Sequence, residues 1–159
     1  MRKTLLIALV LLATAFSANA QEKNAESKVK HLTYKEFLKN VWDIEKNTDA
    51  YVFKGKTPAI IDFYADWCGP CRRVAPIMEK LAQEYDGKLD IYKVNVDQER
   101  ELAAAFQVRS IPTVLFLPVT GQPMIQAGAL SEELYRKVIE ERVIQTENAK
   151  APNEVKQAN

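Results

Sequence analysis

The chain has 159 residues, 47% hydrophobic and 27% charged, with a formal net charge of +1 at pH 7. That apolar content excludes a disordered chain, and five Gly with seven Pro are far from collagen-like or low-complexity composition. Two cysteines cannot build a disulfide-dense mini-scaffold, the near-neutral charge leaves no electrostatic footprint for nucleic acid, and one domain is expected at this length.

Arg2 and Lys3 precede an uninterrupted apolar run from Leu5 to Ala13, and Ser17-Ala18-Asn19-Ala20 places small residues at −3 and −1 of a cleavage site. This layout predicts a cleavable export leader over residues 1–20. The apolar run of nine residues is too short for a membrane anchor, which needs about 20. No cysteine lies near the cleavage site, so a lipid-attached form is not expected. Removing 20 of the 159 residues leaves 139, with 20 Lys and Arg against 21 acids. A domain of that size buries about two-thirds of its unfolded surface and needs no disulfide staple to fold.

Residues 21–30 are polar and aperiodic and read as a flexible lead-in. Thr33-Tyr34-Lys35-Glu36 fits a capping box, followed by a helical stripe of Phe37, Val41 and Trp42. Residues 46–57 read as a loop. Ala59-Ile60-Ile61-Asp62-Phe63-Tyr64 is an apolar run around one acid, the pattern of a strand buried on both faces. After Trp67-Cys68-Gly69-Pro70-Cys71 comes a helix with Val74, Ile77, Met78, Leu81 and Tyr85 on one face and Gly87 as its stop.

Leu89 to Val96 predicts a second strand, and Asp97 is placed to cap a short helix through Phe106. Pro112 opens a third strand, Thr113 to Leu117, which Gly121 turns into a hairpin with Met124 to Gln126. Ser131-Glu132-Glu133 starts a last helix ending near Ile144, and residues 146–159 lose periodicity as a frayed tail. The order βαβα then ββα predicts an α/β domain over 31–145, with one mixed central sheet flanked by helices on both faces. The loop at 65–71 leaves the carboxyl end of a central strand, where open α/β sheets place their sites.

Cys68 and Cys71 stand three apart at a helix start. A zinc site needs four ligands, and only His31, 37 residues upstream of Cys68, could join them. Haem attachment needs a histidine after the second cysteine, where Arg72 stands. A structural disulfide closing so small a loop removes little unfolded-chain entropy. The redox reading has a positive mechanism and is favoured. A thiolate at a helix N-terminus is stabilised by unpaired N–H groups and the helix dipole. Cys68 occupies that end, exposed by the turn, and Cys71 lies one turn on, shielded but close enough to attack a mixed disulfide. Gly69 permits close backbone approach, and Pro70 suits the first helical turn.

The segment Asp62-Phe63-Tyr64-Ala65-Asp66-Trp67-Cys68-Gly69-Pro70-Cys71 resembles the signature of the thioredoxin family. Ala75-Pro76, Lys93-Val94-Asn95-Val96-Asp97, Ile111-Pro112-Thr113 and Gly128-Ala129-Leu130 also match, in order. The resemblance is strong over 55–144 and loose over 31–54. It implies the thioredoxin fold, a Cys68–Cys71 disulfide that opens to a dithiol, Cys68 as the attacking nucleophile and Cys71 as the resolving thiol. It also implies that Asp62 exchanges a proton with Cys71, where a satisfied structural acid is the plainer reading. Lys93 would be the charge partner of Asp62, or else an ordinary edge lysine.

Ile111-Pro112 looks like the family's cis-proline segment, whose backbone pairs with an extended substrate. Trp67, Gly128 and Ala129 would complete that groove with Gly69 and Pro70, although Trp67 is also read as a packing residue. Pro76 is read as a helix kink and His31 as a surface or packing residue without catalytic duty. The chain departs from common family residues at Tyr64, Arg72 and Ser110, and Pro118 with Pro123 suits edge strands.

Gly69-Pro70 between the cysteines resembles reducing family members rather than oxidases or isomerases. Only 41 residues separate Cys71 from Pro112, too few for the insertions of the oxidases or cytochrome-maturation reductases. The expectation is an exported protein-disulfide reductase, periplasmic or alternatively secreted, without cofactor or metal. It would act as a monomer on disulfide-containing exported proteins, free of nucleic acid and membrane insertion, and be recharged by an upstream electron donor. A net oxidase or isomerase, or a partner-binding module, is the alternative.

Overall fold

The computed structural model describes residues 27–144. The leader over 1–20, residues 21–26 of the lead-in and the tail over 146–159 lie outside the described residues.

The Ala59–Tyr64 run forms strand β2, the middle strand of a five-stranded sheet. On one side it pairs in parallel with β3 (Asp90–Asn95), which pairs in parallel with the short β1 (Lys30–His31). On the other it pairs antiparallel with β4 (Thr113–Leu117), which pairs antiparallel with β5 (Met124–Ala127). The parallel pair needs a crossover, supplied by helix α2 (Gly69–Glu84). The remaining helices are α1 (Tyr34–Asn40), α3 (Arg100–Ala105) and α4 (Glu132–Val138), the last running into a π-helical turn at Ile139–Ile144.

The alternation of β2 sorts its side chains between two cores. Ile60 packs with Ile91, Val114 and Phe116 beneath Val74, Met78 and Leu81 of α2 and Tyr135 of α4. Ala59, Ile61 and Phe63 face Phe37 of α1 and Leu102 of α3. Helices therefore cover both faces, as the element order predicts. Each fully buried side chain of this size contributes about 1.5–3 kcal/mol, which is how a sheet of short strands holds without a staple. Caps set the helix starts: Thr33 and Glu36 make the reciprocal capping box, and Ser131 Oγ accepts from the Leu134 N–H. Pro76 lies inside α2, which continues past it to Glu84, with Gly87 at φ +75° just beyond.

Several expectations change. Of the lead-in expected over 21–30, the described residues 27–30 are built into the fold. Val29 is 7% exposed and Lys30 opens β1. An edge strand of two residues borrows its order from β3 and has no periodicity of its own to read. Asp97 does not cap α3, because its carboxylate accepts from the Trp67 indole; the cap position is Glu99, which makes no side-chain cap bond and accepts instead from the Tyr34 N–H. Trp42 lies past the end of α1, and Val41 is its C-cap. Pro118 and Pro123 stand outside β4 and β5, bracketing the turn that contains Gly121.

Candidate active site

The carboxyl end of β2 runs through Ala65, Asp66 and Trp67 into Cys68, the N-cap of α2. Cys68 is extended at φ −77°, ψ 108°, so the chain turns there and the helix begins at Gly69. Its Sγ accepts a hydrogen bond from the Cys71 N–H at 3.2 Å, as an N-cap side chain should. Pro70 fills the first turn, where a missing N–H costs nothing. A Cβ at Gly69 would meet only the Arg72 guanidinium at 3.8 Å, an ordinary contact, so nothing inside the chain demands glycine there.

Cys68 and Cys71 are joined in a disulfide with Cα atoms 5.3 Å apart. The expected contrast in exposure between them is absent in this oxidised form: Cys68 is 3% exposed and Cys71 4%. Ala65, Tyr64, Val96 and Ile111 pack against the pair and cover both sulfurs' residues alike. The Ile111–Pro112 bond is cis, as the resemblance implies. The Pro112 carbonyl accepts from the Gly128 N–H at 2.8 Å, and Gly128 takes φ +88°, a conformation that side chains disfavour. Ala129 is exposed beside it. Trp67 stands on the surface, 69% exposed, its indole N–H donating to Asp97 Oδ2 at 2.8 Å. The plainer reading of Trp67 as a core residue is thereby excluded.

Asp62 lies on the same face of β2 as Tyr64, toward α2. It is 4% exposed, and its Oδ1 has no hydrogen-bond partner. Burial pushes its carboxyl up to about 7, opposed by the charge of Lys93. Lys93 is the register partner of Asp62 on β3 and is half-buried. A cavity of about 180 Å³ joins the carboxyl to Cys71, with Tyr64, Ala75, Met78 and Lys93 also lining it. It is large enough and polar enough to hold water.

Sequence reasoning assigned no part to Asn95, although it sits inside one of the matched segments. It is 5% exposed; its Nδ2 donates to Asp66 Oδ2 at 3.3 Å and its Oδ1 accepts from the Asp97 N–H at 2.9 Å. Asn95 thus ties the loop before Cys68 to the end of β3. An Asn at the end of a strand otherwise rich in β-branched residues was the available signal. His31 is exposed in β1, away from these groups. Among the described residues no three His, Cys, Asp or Glu gather as metal ligands, and no helix is long and apolar enough to cross a membrane.

Two sulfurs closed across the first turn of a helix, at the mouth of a central strand, form a pair that can open and close again by exchange with other thiols and disulfides, and the chain is a thiol–disulfide oxidoreductase. The family model described as Thioredoxin matches residues 39–141. The chain belongs to the thioredoxin family.

Among its relatives, thioredoxin of Borreliella burgdorferi is 44% identical over 110 residues, covering 69% of this chain and 93% of that protein. Thioredoxin 1 of Chlorobaculum tepidum is 46% identical over 92 residues, 57% of this chain and 90% of its own length. Against the chloroplastic M-type thioredoxin of Spinacia oleracea the match is 43% over 82 residues, 51% of this chain and 45% of that protein. The solved structure of chloroplastic thioredoxin z superposes with a TM-score of 0.57 at 23% identity, covering 70% of this chain and 91% of that one, a likeness of fold.

Proposed function

We propose that the chain is an exported protein-disulfide reductase in which Cys68 attacks and Cys71 resolves. The observation that carries this is the Cys68 Sγ at the N-cap of α2, accepting from the Cys71 N–H. When the disulfide is reduced, the same N–H and the helix dipole favour a thiolate at Cys68.

The Cys68 thiolate attacks one sulfur of a substrate disulfide, forming a mixed disulfide and releasing the other substrate sulfur as a thiolate that takes up a proton. Asp62, as carboxylate, accepts the Cys71 thiol proton across the cavity. The Cys71 thiolate then attacks Cys68 Sγ and expels the second substrate sulfur. Two electrons pass to the substrate, and the protein is left with the Cys68–Cys71 disulfide described above. Lys93 biases Asp62 toward its charged form. Trp67, Gly69, Pro70, Ile111, Pro112, Gly128 and Ala129 hold an extended substrate segment by strand-like pairing.

Net reduction is supported by Gly69-Pro70 between the cysteines, with no histidine there to favour the thiolate further. Export is supported by the leader pattern over 1–20, and places the substrates among exported, disulfide-containing proteins. A reductant in oxidising surroundings needs an upstream donor to reduce it again after each turnover.

Turnover of a disulfide protein such as insulin by wild type and Cys68→Ser tests the reaction: wild type is active and the variant inactive. Equal activity, or none in either, favours a binding module. Equilibration with glutathione tests direction. A potential near about −120 mV, that of a strong oxidant, would overturn net reduction. Fractionation of the source cells tests export.

A further inference from the structure

One wall of the cavity at Asp62 comes from outside β2, β3 and α2. Val29, which precedes β1, lines it together with Asp62 and Cys71. Two residues earlier, Ser27 Oγ lies 2.7 Å from Glu79 Oε1, and Glu79 is a lining residue on α2. Lys28 forms an ion pair with Asp86 just past the end of α2, and Lys30 one with Asp90 at the start of β3. The polar side chains of residues 27–30 are therefore fastened to α2, its C-terminal turn and β3. The one apolar side chain among them goes inward.

We propose that residues 27–29 are positioning residues for the proton transfer at Asp62: Val29 narrows the cavity where it lines it, the Ser27–Glu79 bond holds it there, and the carboxyl meets less water than it would without them. The inference rests on the proton-relay reading of Asp62. Asp62 and Cys71 line the same cavity, so narrowing its contact with solvent favours proton exchange between these two groups. The same exclusion sets how strongly burial disfavours its charged form.

Charged and titratable groups face Asp62 from each element packed around it. They are Lys93 from β3, Tyr64 and Asp66 at the end of β2, Arg72 and Glu79 from α2, and Tyr135 from α4. Val29→Ser and Ser27→Ala change none of these charges.

The test is the titration of Asp62 in the oxidised protein, where neither cysteine titrates, read from the carboxyl carbon shift of labelled aspartate. The midpoint expected for wild type is about 7. Val29→Ser lowers the midpoint by about one unit, and Ser27→Ala lowers it by a few tenths, roughly. A merely structural role would lower stability and leave the midpoint in place. An unchanged midpoint in folded Val29→Ser overturns the proposal; if that variant does not fold, an unchanged midpoint in Ser27→Ala overturns it. Failure of the relay reading looks different: Asp62→Asn would then exchange disulfides as fast as wild type at pH 7, whatever the strap variants do.

Discussion

Asp62 and Lys93 stand opposite each other in the parallel register of β2 and β3, yet no ion pair closes between them among the described residues. The lysine acts on the carboxylate only through space, and Asp62 Oδ1 stays unpaired in a buried site. An unsatisfied buried acid is costly unless protonated, which leaves this one poised to change charge near neutral pH.

Stability should report that poise. The folded-state value is raised from 3.8 to about 7, so the stability linked to protonated Asp62 is present in full below about pH 4. It is lost as pH rises through about 7. Asp62→Asn removes the dependence, so its gain over wild type grows across this window, to about 4 kcal/mol above pH 8 at most. Denaturant unfolding of both oxidised proteins at pH 4, 6 and 8 measures it. A difference that does not vary with pH would assign the burden to another group.

Asn95 is expected to matter more than its lack of chemistry suggests. Asn95→Ala leaves the Asp97 N–H without its partner and frees Asp66 from β3. The loss should be about 1 kcal/mol of stability, the usual net contribution of a hydrogen bond, because Asp66 and Asp97 are exposed and water can take the place of the lost partner. Asn95→Asp keeps the acceptor for the Asp97 N–H and loses the donor to Asp66, placing two carboxylates together instead. It should therefore be no better than alanine at pH 8 and recover as the pH falls toward 4. Urea midpoints at the two pH values separate these outcomes.

How far the fold was legible follows from where each residue finds its partner. Thr33, Glu36 and Ser131 find theirs three residues away, so sequence spacing suffices. The β2 run declares a strand buried on both faces because Ile60, Ile61 and Phe63 have no polar alternation. Cys68 and Cys71 carry their chemistry in their spacing. Val29 and Asp97 were not legible, because their partners are distant in sequence: the cavity at Asp62, and the indole of Trp67. An aspartate before a helical stretch reads as a cap unless something else has claimed its side chain. The π-helical turn at Ile139–Ile144 likewise shares its apolar spacing with an ordinary helix end, since Ile139 and Val143 are buried either way.

The capping box at Thr33 gives a check free of the active site. Thr33→Ala removes the acceptor for the Glu36 N–H at the start of a seven-residue helix. Such a helix has little stability of its own, and Phe37 needs it in place to fill the core. The expected loss is about 1 kcal/mol, with disulfide exchange at wild-type rates under native conditions. Thermal unfolding and insulin turnover on the same samples test both halves.

Trp67 and Asp97 allow the last and most specific test. A large aromatic side chain 69% exposed would ordinarily sample several rotamers, and the 2.8 Å bond from its indole to Asp97 Oδ2 restrains it. Holding one such side chain in place before substrate arrives is worth about 1 kcal/mol. In the proposed reduction, Asp97→Ala should therefore raise KM for a protein disulfide about fivefold, the equivalent of that energy, and leave kcat nearly unchanged. Asp97→Asn retains an acceptor and should do less. Trp67→Phe removes the donor, so adding Asp97→Ala to it should cost nothing further, and the double-mutant cycle isolates the bond. If the two losses simply add, each residue meets substrate on its own and the indole bond is not what positions Trp67.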